Sequence, residues 1–280
     1  MGKIRSVLIT GSSTGIGRAC ALYLEKNGFQ VFAGVRKKKD GEALVKAATG
    51  NLVPVVIDVT DGKSVADAVK VISKATGGEL YGLMNNAGIG YGGAVEILLL
   101  KHIRQVIDTN LVGIFTVTKA FIPLLRKSIG RIVNTGSICG LSSLPGHSLY
   151  SATKFAVEAV SESLRLELRP FGIQVSVLEP GRIATEIWRK SDEAMPEIFS
   201  ATNPEILALY KPLYVSYKKG ISENKFLEPE AVAGYVYHAF NAAKPKRHYI
   251  IGKDAKMLAF IEMLPEAVRD WLLYRSIYKS

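Results

Sequence analysis

Cysteine is scarce in this chain: Cys20 and Cys139 are the only two in 280 residues. They fall in segments read below as different parts of the fold, so a disulfide framework is not expected and a reducing, cytoplasmic setting is. No run of about 18 apolar residues marks a membrane span. The amino-terminal stretch lacks the apolar core and cleavage site of a secretory leader, because Val7, Leu8 and Ile9 lead directly into a glycine-rich turn. Gly2 to Ser6 does fit the loose myristoylation pattern M-G-x-x-x-S, but a strand starting almost at once leaves little free tether for it. The four histidines, His102, His147, His238 and His248, are dispersed and lack paired Cys or Glu at metal-ligand spacing. No metal is therefore expected, and packing or surface roles are. His147, just ahead of Tyr150, is read as a loop residue, with the entrance to a substrate site as its alternative. Internal repeats, low-complexity linkers and abrupt composition changes are also missing, so residues 1–280 read as one domain.

Charge is unbalanced, at +11. The basic residues are scattered, with one compact run at Arg36, Lys37, Lys38 and Lys39. A run that short reads as a solvated face, and no nucleic-acid partner is expected. Hydrophobic residues at 48% and charged residues at 22% match a soluble globular protein.

Short β-rich runs at 6–10, 30–35, 53–59, 82–85, 131–135 and 174–179 alternate with helical patterns at 16–27, 64–75, 103–125 and 149–170. The strands are nearly continuous in Val, Ile and Leu, as required when helices cover both faces of a parallel sheet. The expected fold is α/β: a single Rossmann-like, doubly wound parallel sheet. Residues 182–227 break the alternation with Pro196, Pro204 and Pro212 among aromatic and apolar residues. An insertion of that length reads as a substrate-binding lid, for which Phe199, Leu207, Leu209, Tyr210, Leu213 and Tyr214 are candidates. Residues 254–280 read as a helical extension, with Leu258, Phe260, Ile261, Met263 and Leu264 ahead of Pro265, and Glu266 opening a further helix through Val268, Trp271 and Leu272. That apolar stripe has three readings: packing over the pocket, which ranks first, a subunit contact, or peripheral membrane contact.

The first strand runs into Thr10-Gly11-Ser12-Ser13-Thr14-Gly15-Ile16-Gly17 and then a helix. Glycines at 11, 15 and 17 permit a tight turn and close backbone approach, and the helix amino terminus offers N–H groups and a positive dipole to a pyrophosphate. Tyr150 and Lys154, four apart in YSATK, lie along one helical face, where an ammonium can favour a phenolate. After the second strand, Gly34 and Arg36 leave no acid for ribose hydroxyls and supply a cation that suits a 2′-phosphate, so NADP(H) is favoured over NAD(H).

TGSSTGIG, NNAG at 85–88, Asn110, Ser137, YSATK and EPG at 179–181 occur in order over roughly residues 6–185, and together they resemble the short-chain dehydrogenase/reductase family. VFAGVR, NTGSICG and SATKFAVE are most similar to its 17β-hydroxysteroid and retinol dehydrogenase-like branch. The resemblance implies a catalytic set of Ser137, Tyr150, Lys154 and Asn110. Tyr150 would be the general acid or base and Ser137 the partner of the substrate oxygen. Lys154 would lower the Tyr150 pKa and hold the nicotinamide ribose, and Asn110 would support a proton relay. It also implies cofactor contacts from residues 11–17, Asp58, Val59, Asn86, Ala87, Gly88, Pro180, Gly181, Ile183 and Thr185. Read alone, Ser137 is a strand-end cap and Asp58 a turn cap. The implied partners are a hydrophobic alcohol or carbonyl substrate and further copies of the chain. A dinucleotide-binding regulatory protein without turnover is the alternative reading.

Overall fold

The computed structural model describes residues 4–222 and 225–278. Gly2, the candidate acceptor of an acyl chain, lies outside the described residues.

Seven parallel strands form one sheet: β1 (Ser6–Ile9), β2 (Gln30–Val35), β3 (Leu52–Val56), β4 (Gly82–Asn85), β5 (Arg131–Thr135), β6 (Gln174–Pro180) and β7 (His248–Ile251). Their order is β3-β2-β1-β4-β5-β6-β7. Strand order reverses at β1, whose neighbours are β2 and β4, and this opens a crevice at the carboxyl ends of the strands. Alternation along each strand sends side chains to two separate cores. Val7, Ile9, Val31 and Ala33 meet α1 (Gly15–Lys26) and α10 (Glu230–Asn241) through Cys20, Leu24, Val236 and Phe240. Leu8, Phe32 and Leu83 meet α3 (Gly62–Thr76), α5 (Gly113–Ser128) and α6 (Ser148–Glu167) through Ile72, Phe121 and Leu164. The two cysteines are free, as expected.

Six of the seven strands are legible in the sequence within a few residues, and two departures have physical causes. The third strand stops at Val56 rather than running to residue 59, because β3 is the sheet edge, with Val53 and Val56 exposed and a proline at position 54. The seventh strand, only HYII after the polar Lys244–Arg247 stretch, carries too little pattern to register. The run Arg36–Lys39 is exposed, and from Lys38 it becomes the start of α2 (Lys38–Ala47).

Residues 100–128 form one continuous helical stretch, α4 (Leu100–Ile107), a π turn (Asp108–Val112) and α5. By length and composition alone it could cross a bilayer, a feature missed when reading for an unbroken apolar run. Here Val106, Val117, Phe121 and Leu125 are buried against the protein core. The π turn widens the helix where Asn110 sits, the kind of local defect that re-aims a side chain.

Most of the insertion is helical: α7 (Glu186–Ser200), α8 (Pro204–Leu209) and α9 (Lys211–Ser222). The neck of the insertion is closed by a parallel bridge between Ile183 and Leu227, with Ala184 N donating to Leu227 O at 2.9 Å and Leu227 N to Arg182 O at 3.0 Å. After β7, α11 (Lys253–Ile261) packs beside β7, and α12 (Glu266–Tyr278) packs on α9. The intramolecular reading of the carboxyl-terminal stripe therefore describes one side of these helices. Met257, Phe260, Met263 and Trp271 remain exposed on the other.

Glu25, buried near the end of α1, ties that helix to the connection between α2 and β3. Its carboxylate accepts from Thr49 Oγ1 at 2.6 Å, Thr49 N at 3.2 Å and Asn51 N at 3.0 Å. Burial alone would raise its pKa, but these donors prevail and hold it below the usual carboxylate range. Glu25→Gln should cost about 1–3 kcal/mol in urea unfolding at pH 7. Because the folded-state pKa is the depressed one, this stabilisation is complete above the unfolded-state pKa and fades as pH falls through the folded value. The wild-type and variant curves should therefore converge in acid. An unchanged gap at low pH would contradict the assignment.

Candidate active site

The chain leaves β1 through a turn that only glycine can make. Gly11 has φ +67°, and a Cβ there would lie 2.8 Å from Ala87 Cα. Gly15 has φ +55°, with Thr185 Cγ2 2.9 Å from its Cβ position. Neighbouring strands lock the turn: Ser12 N donates to Gly34 O at 2.8 Å, and Asn86 Nδ2 donates to Thr10 O at 2.9 Å. Thr10 Oγ1 accepts from Asn86 N at 2.9 Å and Ala87 N at 3.1 Å. Thr14 precedes α1 in extended conformation with no side-chain cap, which leaves the first helical N–H groups available to an anion.

A cleft of about 1160 Å³ runs from this turn along the carboxyl edge of the sheet. It exceeds the roughly 300–1,000 Å³ of a usual small-ligand pocket and has room for two ligands side by side. Of the expected cofactor residues, Gly11, Ser13, Thr14, Gly15, Ile16, Arg36, Asp58, Val59, Asn86, Ala87, Gly88, Pro180, Gly181, Ile183 and Thr185 line it. Ser12 and Gly17 do not. Ser12 is buried with its hydroxyl on Ile9 O at 2.8 Å. Gly17 is buried, and any Cβ there would collide with Gly11 O and Asn86 Nδ2. Both build the turn rather than face its contents. Asp58 is a turn cap as well as a wall residue, accepting from Thr60 N at 2.9 Å and Thr60 Oγ1 at 2.7 Å. Burial opposes its ionisation, but Thr60 and the Arg36 charge hold its pKa below the ordinary value.

Ser137, Tyr150 and Lys154 line the same cleft. Ser137 stands two residues beyond β5 rather than at its end, and its Oγ accepts from Cys139 N at 3.1 Å, capping a short 3-10 turn (Ile138–Gly140). Tyr150 and Lys154 share a face of α6, with Nζ 5.4 Å from the centre of the phenol ring. Lys154 is buried, and its Nζ donates to Thr135 O at 2.7 Å. Burial pushes its pKa down to about 8, against the opposing pull of Cys139 and Glu158. The phenol differs from expectation. Burial, reinforced by Cys139, pushes Tyr150 up, with the Ser137 hydroxyl opposing, and Lys154 does not hold it down. The ammonium is engaged by the Thr135 carbonyl, and the desolvation that weakens the lysine also disfavours a phenolate.

Asn110 does not line the cleft. From the π turn, its Oδ1 accepts from Ile89 N at 2.9 Å, and its Nδ2 donates to Ile89 O at 2.8 Å and Thr153 Oγ1 at 3.2 Å. It holds the chain after β4 against α6. His147 does face the cleft, against the loop reading. Its ring lies 5.6 Å from that of Tyr217, and burial together with Arg182 pushes it down to about 4, so the imidazole is neutral at pH 7. Of the six proposed lid contacts only Leu213 lines the cleft. Phe199, Leu207, Tyr210 and Tyr214 pack instead around Ile97, Met195 and Ile198, and Leu209 is exposed. Ile187, Trp188, Tyr217 and Leu258 take their place. Helical periodicity in 186–222 would have pointed to these faces had the insertion been read as helices.

His248 is not isolated. Strand register pairs it with Val177, two residues from Glu179 on the same sheet face, so Nδ1 lies 2.7 Å from Glu179 Oε1 and 3.7 Å from Glu158 Oε2. Burial and the neighbouring Glu179 push Glu158 up to about 8. No sequence spacing could show this, since the three residues come from α6, β6 and β7.

The model of the short chain dehydrogenase family matches residues 5–196. This chain belongs to that family. It is 34% identical to bovine (Bos taurus) 17-beta-hydroxysteroid dehydrogenase type 6, over 96% of this chain and 88% of the relative. It is 35% identical to human (Homo sapiens) retinol dehydrogenase 16, over 96% and 87%. Among solved structures, a short-chain dehydrogenase from Streptomyces avermitilis superposes with a TM-score of 0.81 at 27% identity, covering 98% of this chain and 97% of that one. ElxO with NADP bound superposes at 0.70 and 27%, covering 88% and 96%. The resemblance to the hydroxysteroid and retinol dehydrogenase branch stands on these relatives.

Gly17 packs too closely for any side chain. Gly17→Ala should destabilise the protein by about 1–3 kcal/mol and weaken any binding of a nicotinamide dinucleotide together with it, because the turn itself must shift. Urea unfolding and fluorescence titration with NADH and NADPH measure the two effects. Wild-type values in both would contradict the packing argument.

Proposed function

We propose that this oxidoreductase uses NADP(H) to interconvert a hydrophobic alcohol, steroid-, retinoid- or lipid-like, and its carbonyl compound, with Tyr150 as general acid and base. The observation that carries the reading is that Ser137, Tyr150 and Lys154 open into one cleft with the glycine turn and Arg36. Gly11, Gly15, Asn86 and Gly88 would hold a dinucleotide, Arg36 its 2′-phosphate, and Pro180, Gly181 and Thr185 its nicotinamide end. When bound, the nicotinamide supplies or accepts hydride.

The protein's own residues handle the proton. Carbonyl reduction leaves a developing alkoxide, which Tyr150 protonates while the Ser137 hydroxyl donates a hydrogen bond to the same oxygen. Alcohol oxidation runs the transfer backwards. Lys154 would exchange its Thr135 carbonyl contact for ribose hydroxyls while keeping its charge near the phenol, and Asn110 would keep the backbone at Ile89 in place for proton delivery. The Arg36 cation, with no acid at the end of β2, supports NADP(H) over NAD(H). The NADP-bound ElxO structure is consistent with that choice.

The substrate end joins apolar side chains to charged ones such as Arg182, Lys190 and Glu193. Ile187, Trp188, Leu213, Tyr217 and Leu258 line the same cleft as Tyr150 and the neutral His147, and this apolar share of the wall suits a bulky hydrophobic molecule. The names of the hydroxysteroid and retinol dehydrogenase relatives support the same substrate class. The exposed Phe260, Met263 and Trp271 make peripheral membrane contact, or contact with another copy of the chain, part of the same reading.

A panel of steroid, retinoid and aliphatic alcohols and carbonyls should show turnover with NADPH or NADP⁺. Tyr150→Phe should lower kcat by about 10²–10⁴-fold with NADPH binding retained. Undiminished turnover would overturn the assignment. Arg36→Ala should raise the NADPH dissociation constant about tenfold and leave that of NADH nearly unchanged. Equal effects on both would remove the basis for NADP(H) selectivity. Reduction needs the protonated phenol, so its rate should hold through neutral pH and fall only in alkali, whereas oxidation should climb with pH.

A further inference from the structure

We propose that Glu158, Glu179 and His248 form a binding site for a divalent transition-metal cation, of which Zn²⁺ and Mn²⁺ are the chemical types, behind the catalytic turn. The site lies outside the hydride-transfer cleft and does not depend on the function proposed above.

One ligand atom from each residue falls within 4.8 Å of the other two. His248 Nδ1 is 2.7 Å from Glu179 Oε1 and 3.7 Å from Glu158 Oε2. Tetrahedral bonds of about 2.0–2.1 Å place neighbouring ligand atoms about 3.3 Å apart. The two observed spacings bracket that value, so small side-chain movements suffice.

The carboxylates are also short of partners. The Glu179 side chain is 1% exposed, yet its Oε2 has no hydrogen-bond partner. Both oxygens of Glu158, whose side chain is 12% exposed, lack one too. Among the described residues neither glutamate pairs with a lysine or arginine, and the nearest buried ammonium, Lys154, is engaged by Thr135 O. Nor do the two carboxyls hydrogen-bond each other, so a proton shared between them does not account for the cluster. Two buried carboxyl groups with one imidazole, short of partners, form a centre in which a cation takes the place of the protons that burial keeps on the acids.

The ligands stand on rigid elements. Glu158 projects from α6, Glu179 from β6, and His248 from β7, which pairs with β6 at Val177. Gly136 and Gly140 close the inner wall: a Cβ on either would lie 2.7 Å or 3.3 Å from Glu158 Oε1. His248, 40% exposed, leaves the outer side open, so an ion can enter and retain water in a fourth position.

The test is isothermal titration of the full chain, tag-free and stripped with chelator, with Zn²⁺ and separately Mn²⁺ at pH 7.5, accompanied by thermal unfolding. We expect one saturable site per chain for at least one of the two ions, and a rise in unfolding midpoint of roughly 2 °C or more at saturation. His248→Ala and Glu179→Gln should each weaken binding at least tenfold and abolish the thermal shift. Glu179→Gln alters a fully buried position, so the half-exposed His248→Ala decides the matter should the former not fold. Absence of one-per-chain binding with both ions, or binding and thermal shift unchanged in His248→Ala, would overturn the proposal.

Discussion

A buried ammonium governs the centre of this molecule. Lys154 is almost fully buried, and an unpaired charge in the interior costs several kcal/mol, so its Nζ takes an acceptor. It finds the carbonyl of Thr135, the last residue of β5. That contact joins α6 to the carboxyl end of the sheet, one turn beyond Tyr150. The intervening turn lies so close that Gly140 would bring a Cβ to 2.8 Å from Lys154 O, and Gly136 is packed as tightly. The same helix then carries Glu158 one turn further on, into contact with β6 and β7. The cleft and the carboxylate cluster are opposite sides of one tightly packed joint.

The sheet supplies the rest of the frame. Order reversal at β1 opens a crevice, the glycine turn lines one end, and the helices of the insertion roof the other. Backbone turns and side-chain hydrogen bonds to the main chain hold these components in place. This explains why Asn110 and Ser12, neither of which faces the cleft, still shape it through hydrogen bonds to Ile89 and Ile9.

Local signals made the first six strands, the glycine turn and the Tyr150–Lys154 helix face legible in the sequence. Each depends on apolar periodicity, on a turn only glycine allows, or on fixed helical spacing. Five features were hidden for equally physical reasons. The edge position of β3 and the brevity of β7 are properties of the assembled sheet. The lid's inward face depends on helices that its prolines disguise, so Phe199 and Tyr214 were assigned to the cleft although they pack together elsewhere. The direction of the Tyr150 shift depends on burial, which residue spacing cannot convey. His248 meets Glu158 and Glu179 only because β7 pairs with β6, a juxtaposition spread over ninety residues of chain.

The central claim is that the Lys154 charge controls the Tyr150 proton once the proposed cofactor fills the cleft. The most direct measurement is the pH dependence of alcohol oxidation at saturating NADP⁺ in the wild type and in Lys154→Met. Removal of the cation should raise the phenol pKa and move the rising limb of the profile to higher pH, together with a loss of rate. A Lys154→Met profile that rises over the same pH range as the wild type would contradict the account.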